Sequence, residues 1–382
     1  MAYLFYCFIT LPFALLNVFL SRRHQLIFYV FFVVVCVLLF GFSYKSGSDW
    51  VNYIAFYDSG CSGLEFEPGF GVLCWAFNLF GLDYWVFSFF VKSSYIFGIA
   101  LFLWRLKTYP LLIFLSCVLV SFVFIENMLR QQLAFVFILI SLRFIYANGY
   151  YFVFFVLLAA AFHVSAIFFM PMFFMVRYSI FRAALVGASG AAFFLGLIGV
   201  SVASGLLGWL ASFWEGGYLS KAIFYLGLEG YPMTLGHYLR FGLLMVLFAF
   251  DRVYCHRSES PAEFRLLLSG SILMLSYEML FYDFSVFWMR IREYFLIFFM
   301  SFPLYVIKNY FPVYRKVFPF VFSIYPLIVF GGIVSSLPVY SDLYEGYSNY
   351  IYYVVFDDDS FDAERDFAVD EYWKAWRRGE IR

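Results

Sequence analysis

The chain has 382 residues, 64% hydrophobic and 13% charged, with zero formal net charge and a mean hydropathy of +0.85. Soluble chains average about 45–50% apolar and about 25% charged residues, so this composition excludes a water-soluble domain and implies a bilayer as solvent. Its basic groups are too dispersed for a nucleic-acid-binding stripe, and its continuous Phe, Leu and Val runs are unlike the short alternating segments of a membrane β-barrel.

Apolar runs of roughly 18 or more residues recur from Met1 to Pro338, each long enough to cross about 30 Å of hydrocarbon as a helix. We count about ten to twelve, which predicts an all-α polytopic membrane domain over residues 1–338 and a polar C-terminal tail over 339–382. The first run, Ala2 to Leu20, lacks a basic start and a small-residue cleavage site and reads as a retained helix. Basic groups cluster at Arg22 to His24, Arg105 to Lys107, Arg177 to Arg182, Asp251 to Arg257 and Lys308 to Lys316, and the positive-inside rule assigns all five to the cytoplasm. The outward loops are then Gly41 to Glu67, Glu126 to Gln132, Trp209 to Gly236 and Tyr282 to Glu293. Pro68 to Leu82 is too short for a crossing and reads as a re-entrant or interfacial helix. Tyr150 to Val176 is long and carries His163 and Ser165 at its middle, which predicts a helix broken near the outer leaflet. The tail holds eleven acids against five bases. Span counting puts it outside, its terminal arginines argue for the inside, and its side stays open. The six cysteines show no CxxC or CxxH spacing, so neither a disulfide framework nor a zinc site follows.

Four constellations on the outward loops could carry chemistry. Asp49, Trp50, Asn52 and Tyr53, followed by Glu65 and Glu67, have the composition of a sugar site, with acids for proton transfer and aromatic faces for stacking. The alternative is that Asp49 and Glu67 serve as a helix cap and a turn. Asn127, Arg130 and Gln131 lie at spacings that share a helix face, with Arg130 suited to a phosphate; the alternative is an i,i+4 pair with Glu126. His163 is alone in its run and can act as acid, base or donor, or merely as a helix-packing donor. Arg290 and Glu293 share a face, with Arg292 pointing elsewhere, and this segment forms either a second anion clamp or an internal salt-bridge network. No GxGxxG, P-loop, HExxH or GxSxG motif is present.

In order along the chain, Gly47, Asp49, Asn52 and Tyr53, then Glu67-Pro-Gly-Phe70, Arg130-Gln-Gln-Leu-Ala134, Phe162-His-Val-Ser-Ala166 and Arg290 to Phe295 resemble the bacterial polysaccharide repeat-unit polymerases of the O-antigen and exopolysaccharide type, the Wzy or EpsG-like membrane proteins. The resemblance implies a multispan, GT-C-like glycosyltransferase of the bacterial inner membrane. Its substrates would be undecaprenyl-diphosphate-linked oligosaccharides at the periplasmic or outer face, with a flippase and a chain-length regulator as partners. Asp49, Glu67, Arg130, His163 and Arg292 carry over by position; Tyr53, Gln131 and Arg290 rest on local chemistry alone. The reaction needs a cation for the departing diphosphate and a base for the acceptor hydroxyl. That reading assigns Asp49, Glu67 and His163 to catalysis and Tyr53, Arg130, Gln131, Arg290 and Arg292 to substrate, with no metal and no cofactor. A lipid-linked oligosaccharide flippase and a membrane O-acyltransferase using His163 are the alternatives.

Overall fold

A computed structural model describes residues 12–16, 18–63, 66–205, 233–255, 261–335, 343, 348–356 and 362–378. Much of the expected Ala2 to Leu20 span, Glu65, most of the Trp209 to Gly236 loop, residues 256–260 and parts of the tail lie outside these residues. Among the described residues every regular element is helical, apart from one isolated antiparallel bridge between Ser43 and Asn349. Three helices, Arg22–Gly41, Tyr84–Leu106 and Ser179–Leu197, are long and apolar enough to cross a membrane by length and composition. Shorter apolar helices accompany them, several meeting end to end at breaks.

The chain divides into two compact units, Met1–Ile167 with Leu304–Ile381 and Phe168–Pro303. In the first, the helix Tyr84–Leu106 starts on an Asp83 cap, whose carboxylate accepts the Trp85 N–H at 2.7 Å, and ends where Lys107 turns into the left-handed region. The helix Pro110–Val120 is buried at every position. With Phe122–Asn127, which follows after Ser121, it covers about 27 Å at 1.5 Å per residue, close to one crossing. Met128 breaks the run, and the helix Leu129–Ser141 starts back from that break. Asn127 and Arg130 therefore belong to different helices, which corrects the expected shared face.

The expected broken segment is broken as the sequence implies. The helix Gly149–Ala160 ends before His163, and a 3-10 stretch Val164–Phe169 follows. The helix Pro68–Leu79 is only 12 residues, about 18 Å long, and is too short to cross. Its first turn abuts the break: Gly69 N–H donates to the Ala161 carbonyl at 2.8 Å, and a Cβ on Gly69 would stand 2.7 Å from that oxygen. A disulfide joins Cys61, beyond the helix Trp50–Asp58, to Cys74 in the helix Pro68–Leu79. The spacing, from which no disulfide framework follows, does not reveal this bond: Cys74 sits in an apolar run, where nothing hints at a partner.

The tail packs onto the first outward loop. Tyr350 N–H donates to the Phe42 carbonyl at 2.8 Å, Tyr44 N–H to Ser348 at 3.0 Å, and the Trp373 indole to the Ser48 carbonyl at 3.2 Å. Lys45 pairs with Asp362 at 3.2 Å and with Asp366 at 2.9 Å. The tail's side, open in the sequence, is therefore that of the Asp49 loop. In the second unit the helices Ser179–Leu197, Leu235–Phe250 and Ala262–Leu280 pack together, and the Ser285–Tyr310 helix meets the last two, Phe302 lying against Phe250 and Phe264. A buried Arg182–Asp251 pair at 2.8 Å fastens two of their ends.

Candidate functional site

Three backbone breaks in the first unit bring Glu67, Arg130 and His163 together. Glu67 is extended just before Pro68, which supplies a first helical residue with no N–H to satisfy. Arg130 is the second residue after the Met128 break, and His163 lies in the gap between the helix Gly149–Ala160 and the following 3-10 turn. Arg130 Nη1 donates to Glu67 Oε2 at 2.5 Å. The other carboxylate oxygen lies 3.4 Å from His163 Nδ1 and accepts the Val164 N–H at 3.3 Å. Both Asp49 and Glu67 occupy helix-cap positions, yet neither side chain caps its helix. The Glu67 carboxylate instead binds the other two breaks. Such a buried charge persists because its partners are built in.

Aromatic residues wall this cluster. The Arg130 guanidinium lies 4.5 Å from the Phe66 ring centroid, and Phe66 stacks on Tyr53 at 5.5 Å. Arg130 also donates to the Tyr53 hydroxyl. Burial pushes the Tyr53 phenol above its ordinary pKa against the opposing pull of Arg130, so it remains a protonated donor at neutral pH. The Arg130 side chain is 22% exposed, while its Nε is buried and has no hydrogen-bond partner among the described residues. A guanidinium held on one edge and still partly exposed can take up an anion.

Asp49 is placed by a residue assigned to this region only for its helix face. Asn127 Oδ1 accepts the Ser48 N–H at 2.7 Å and the Asp49 N–H at 3.3 Å, while its Nδ2 donates to the Val123 carbonyl at 2.8 Å. Gly47, at φ +82°, makes this possible: a Cβ there would stand 2.4 Å from Asn127 Oδ1. Beside it, Lys92 Nζ lies 2.6 Å from Glu126 Oε2 and 2.7 Å from Ser43 Oγ, with all three residues buried. Glu126 thus pairs with Lys92, which corrects the alternative pairing with Arg130. The sequence signal was a lone lysine inside an apolar helix, a residue that demands a buried partner.

Gln131 is fully buried beside Arg130. Arg290 and Arg292 belong to the second unit, inside the helix Ser285–Tyr310. There Arg292 Nη2 donates to Glu293 at 2.6 Å, which corrects the expectation that Arg292 turns away from that carboxylate. In the same unit Arg240 pairs with the buried Glu278.

These features define a helical membrane protein with an Arg–Glu–His cluster seated at converging helix breaks. The chain belongs to the EpsG family, whose model matches residues 26–353 and so spans every residue of the cluster. That is the family which the sequence resembles, and it ties the chain to polysaccharide biosynthesis at a membrane. No curated protein and no solved structure matches the chain.

Proposed function

We propose that the protein is a polysaccharide polymerase, a multispan glycosyltransferase of GT-C-like architecture with about ten to twelve crossings. It joins undecaprenyl-diphosphate-linked oligosaccharide repeat units at the outer face of the bacterial inner membrane, beside a flippase and a chain-length regulator. The observation that carries this reading is the partly open Arg130 guanidinium fixed by Glu67 next to His163. Family membership supports the class of reaction. The outward placement draws on the positive-inside pattern and on the Cys61–Cys74 disulfide, since such bonds persist on the oxidising side of a membrane.

In this reading Arg130 and Tyr53 donate to the diphosphate as negative charge builds on it. The acceptor hydroxyl oxygen bonds to the sugar's anomeric carbon, the bond from that carbon to the phosphate oxygen breaks, and the hydroxyl proton passes to a base. His163 Nδ1 faces both the Glu67 carboxylate and the Ser165 N–H, at 3.4 and 3.5 Å; with its proton on Nδ1 toward Glu67, Nε2 keeps a lone pair, and in that tautomer His163 is the base and Glu67 the group that orients both His163 and Arg130. Asp49 is the alternative base. Gln131 backs Arg130, and Arg290 and Arg292 hold further anionic groups of the substrate. Arginine supplies the needed positive charge, so chelation of divalent ions should leave the reaction intact.

The direct test is the length of surface glycan in cells lacking the protein and in cells carrying the intact chain or Arg130→Ala at matched membrane levels. Long ladders with the intact chain and single repeat units in the other two support the reading. A surviving ladder in the null removes polymerisation from this protein. Absence of any repeat unit from the outer face moves the flippase reading ahead, and a full-length polymer lacking acyl groups moves the acyltransferase reading ahead.

A further inference from the structure

The helix Tyr84–Leu106 runs about 34 Å from the outer loop to Lys107, and a cavity sits at that far end. The cavity has a volume of about 360 Å³ and gathers four cations, Lys107, Lys308, Arg315 and Lys316. Among the described residues no carboxylate lines it, and Lys107, Arg315 and Lys316 form no ion pair. The positive-inside rule explains why cations lie on this side of the membrane, but not why four converge on one concavity, where they repel one another.

The backbone holds that convergence in place. Lys107 and Tyr109 both adopt left-handed conformations, at φ 53° and 41°, which non-glycine residues rarely take. Lys308 Nζ donates to the Lys107 carbonyl, and the Tyr109 hydroxyl donates to the Arg315 carbonyl at 2.6 Å. These cross-links draw together the turn after the Tyr84–Leu106 helix, the end of the Ser285–Tyr310 helix and the turn that follows it. The remaining wall is partly apolar, formed by Ala14, Val18 and Leu112. A soluble anion has no use for that wall, whereas an acyl chain does.

We propose that this cavity binds the phosphate headgroup of an anionic phospholipid of the inner leaflet, with preference for a headgroup bearing two phosphates. The cations take the phosphate oxygens, and the first acyl carbons lie along the apolar wall. This assignment does not depend on the polymerase reading, because it concerns a different end of the molecule.

Purified full-length protein in detergent would be titrated with diphosphatidylglycerol, phosphatidylglycerol, phosphatidylcholine and inorganic pyrophosphate, reading bound lipid by native mass spectrometry and the unfolding temperature in parallel. The expected order of affinity follows that list, with an unfolding temperature that rises with the first two lipids only. Arg315→Gln with Lys316→Gln removes two exposed charges and leaves the Arg315 carbonyl in place. This double variant should unfold like the intact protein without lipid and bind diphosphatidylglycerol about tenfold or more weakly. Arg22→Gln with Arg23→Gln, outside the cavity, should change affinity far less. Equal binding of phosphatidylcholine, equal losses in the two double variants, or pyrophosphate binding as tightly as the lipid would each overturn the proposal.

Discussion

At the scale of single residues, the account rests on how few groups serve the Glu67 carboxylate. One oxygen is held by Arg130 and the other by His163 and the Val164 N–H, so charge and shape are both fixed. Arg130→Lys keeps the charge and loses the planar fork that reaches Glu67 and a phosphate together. Polymer formation by that variant in membranes should fall by about 10²-fold, the usual cost of one transition-state donor, with protein levels unchanged. Wild-type output would show that a point charge suffices there. Asn127→Ala leaves the Ser48 and Asp49 N–H groups without their acceptor, a loss of about 1–3 kcal/mol that a lowered unfolding temperature would register. The residue types of the cluster were legible in the sequence; its pairings were not. Arg130 meets Glu67 across 63 positions, and only the fold decides that Glu126, four residues away, is spent on Lys92 instead.

At the scale of elements, the proposed function depends on places where helices stop. The break at Ala161 to His163 was legible because polar residues interrupt a long apolar run, and freed backbone groups need partners. One such partner is the start of the Pro68–Leu79 helix, through Gly69 N–H. Gly69→Ala would push a Cβ against the Ala161 carbonyl, so it should lower the unfolding temperature and polymer output together. Gly187→Ala, whose Cβ meets nothing within 4 Å, should do neither. Equal behaviour of the two variants would mean that the two elements are not held this closely. The break at Met128 was hidden, because Glu126 to Gln132 reads as one continuous helical face and nothing in its composition signals a stop.

At the scale of the whole molecule, the positive-inside pattern and the disulfide both support the proposed orientation. Within the first unit Lys107, Lys308, Arg315 and Lys316 gather at the end of the Tyr84–Leu106 helix, while the disulfide, the Arg–Glu–His cluster and the acidic tail belong to the side where that helix starts. Cys61 and Cys74 should resist a membrane-impermeant maleimide in intact cells until a reductant is added, then label from outside. Labelling only after the membrane is permeabilised would invert the orientation. The buried Lys92–Glu126 pair gives a second check at this scale. Lys92→Met alone strands a carboxylate and should cost about 3–5 kcal/mol, whereas Lys92→Met with Glu126→Leu should cost less, as detergent unfolding curves would reveal.

The most direct test of the central claim is reconstitution of the purified protein in liposomes with a single lipid-linked repeat unit as substrate, measuring polymer length and released undecaprenyl diphosphate together. The account predicts one lipid diphosphate released for each linkage formed, with both signals lost in Arg130→Ala and in His163→Ala. Polymer formation that persists undiminished in Arg130→Ala, or no polymer from the intact protein in the presence of competent substrate, would contradict it.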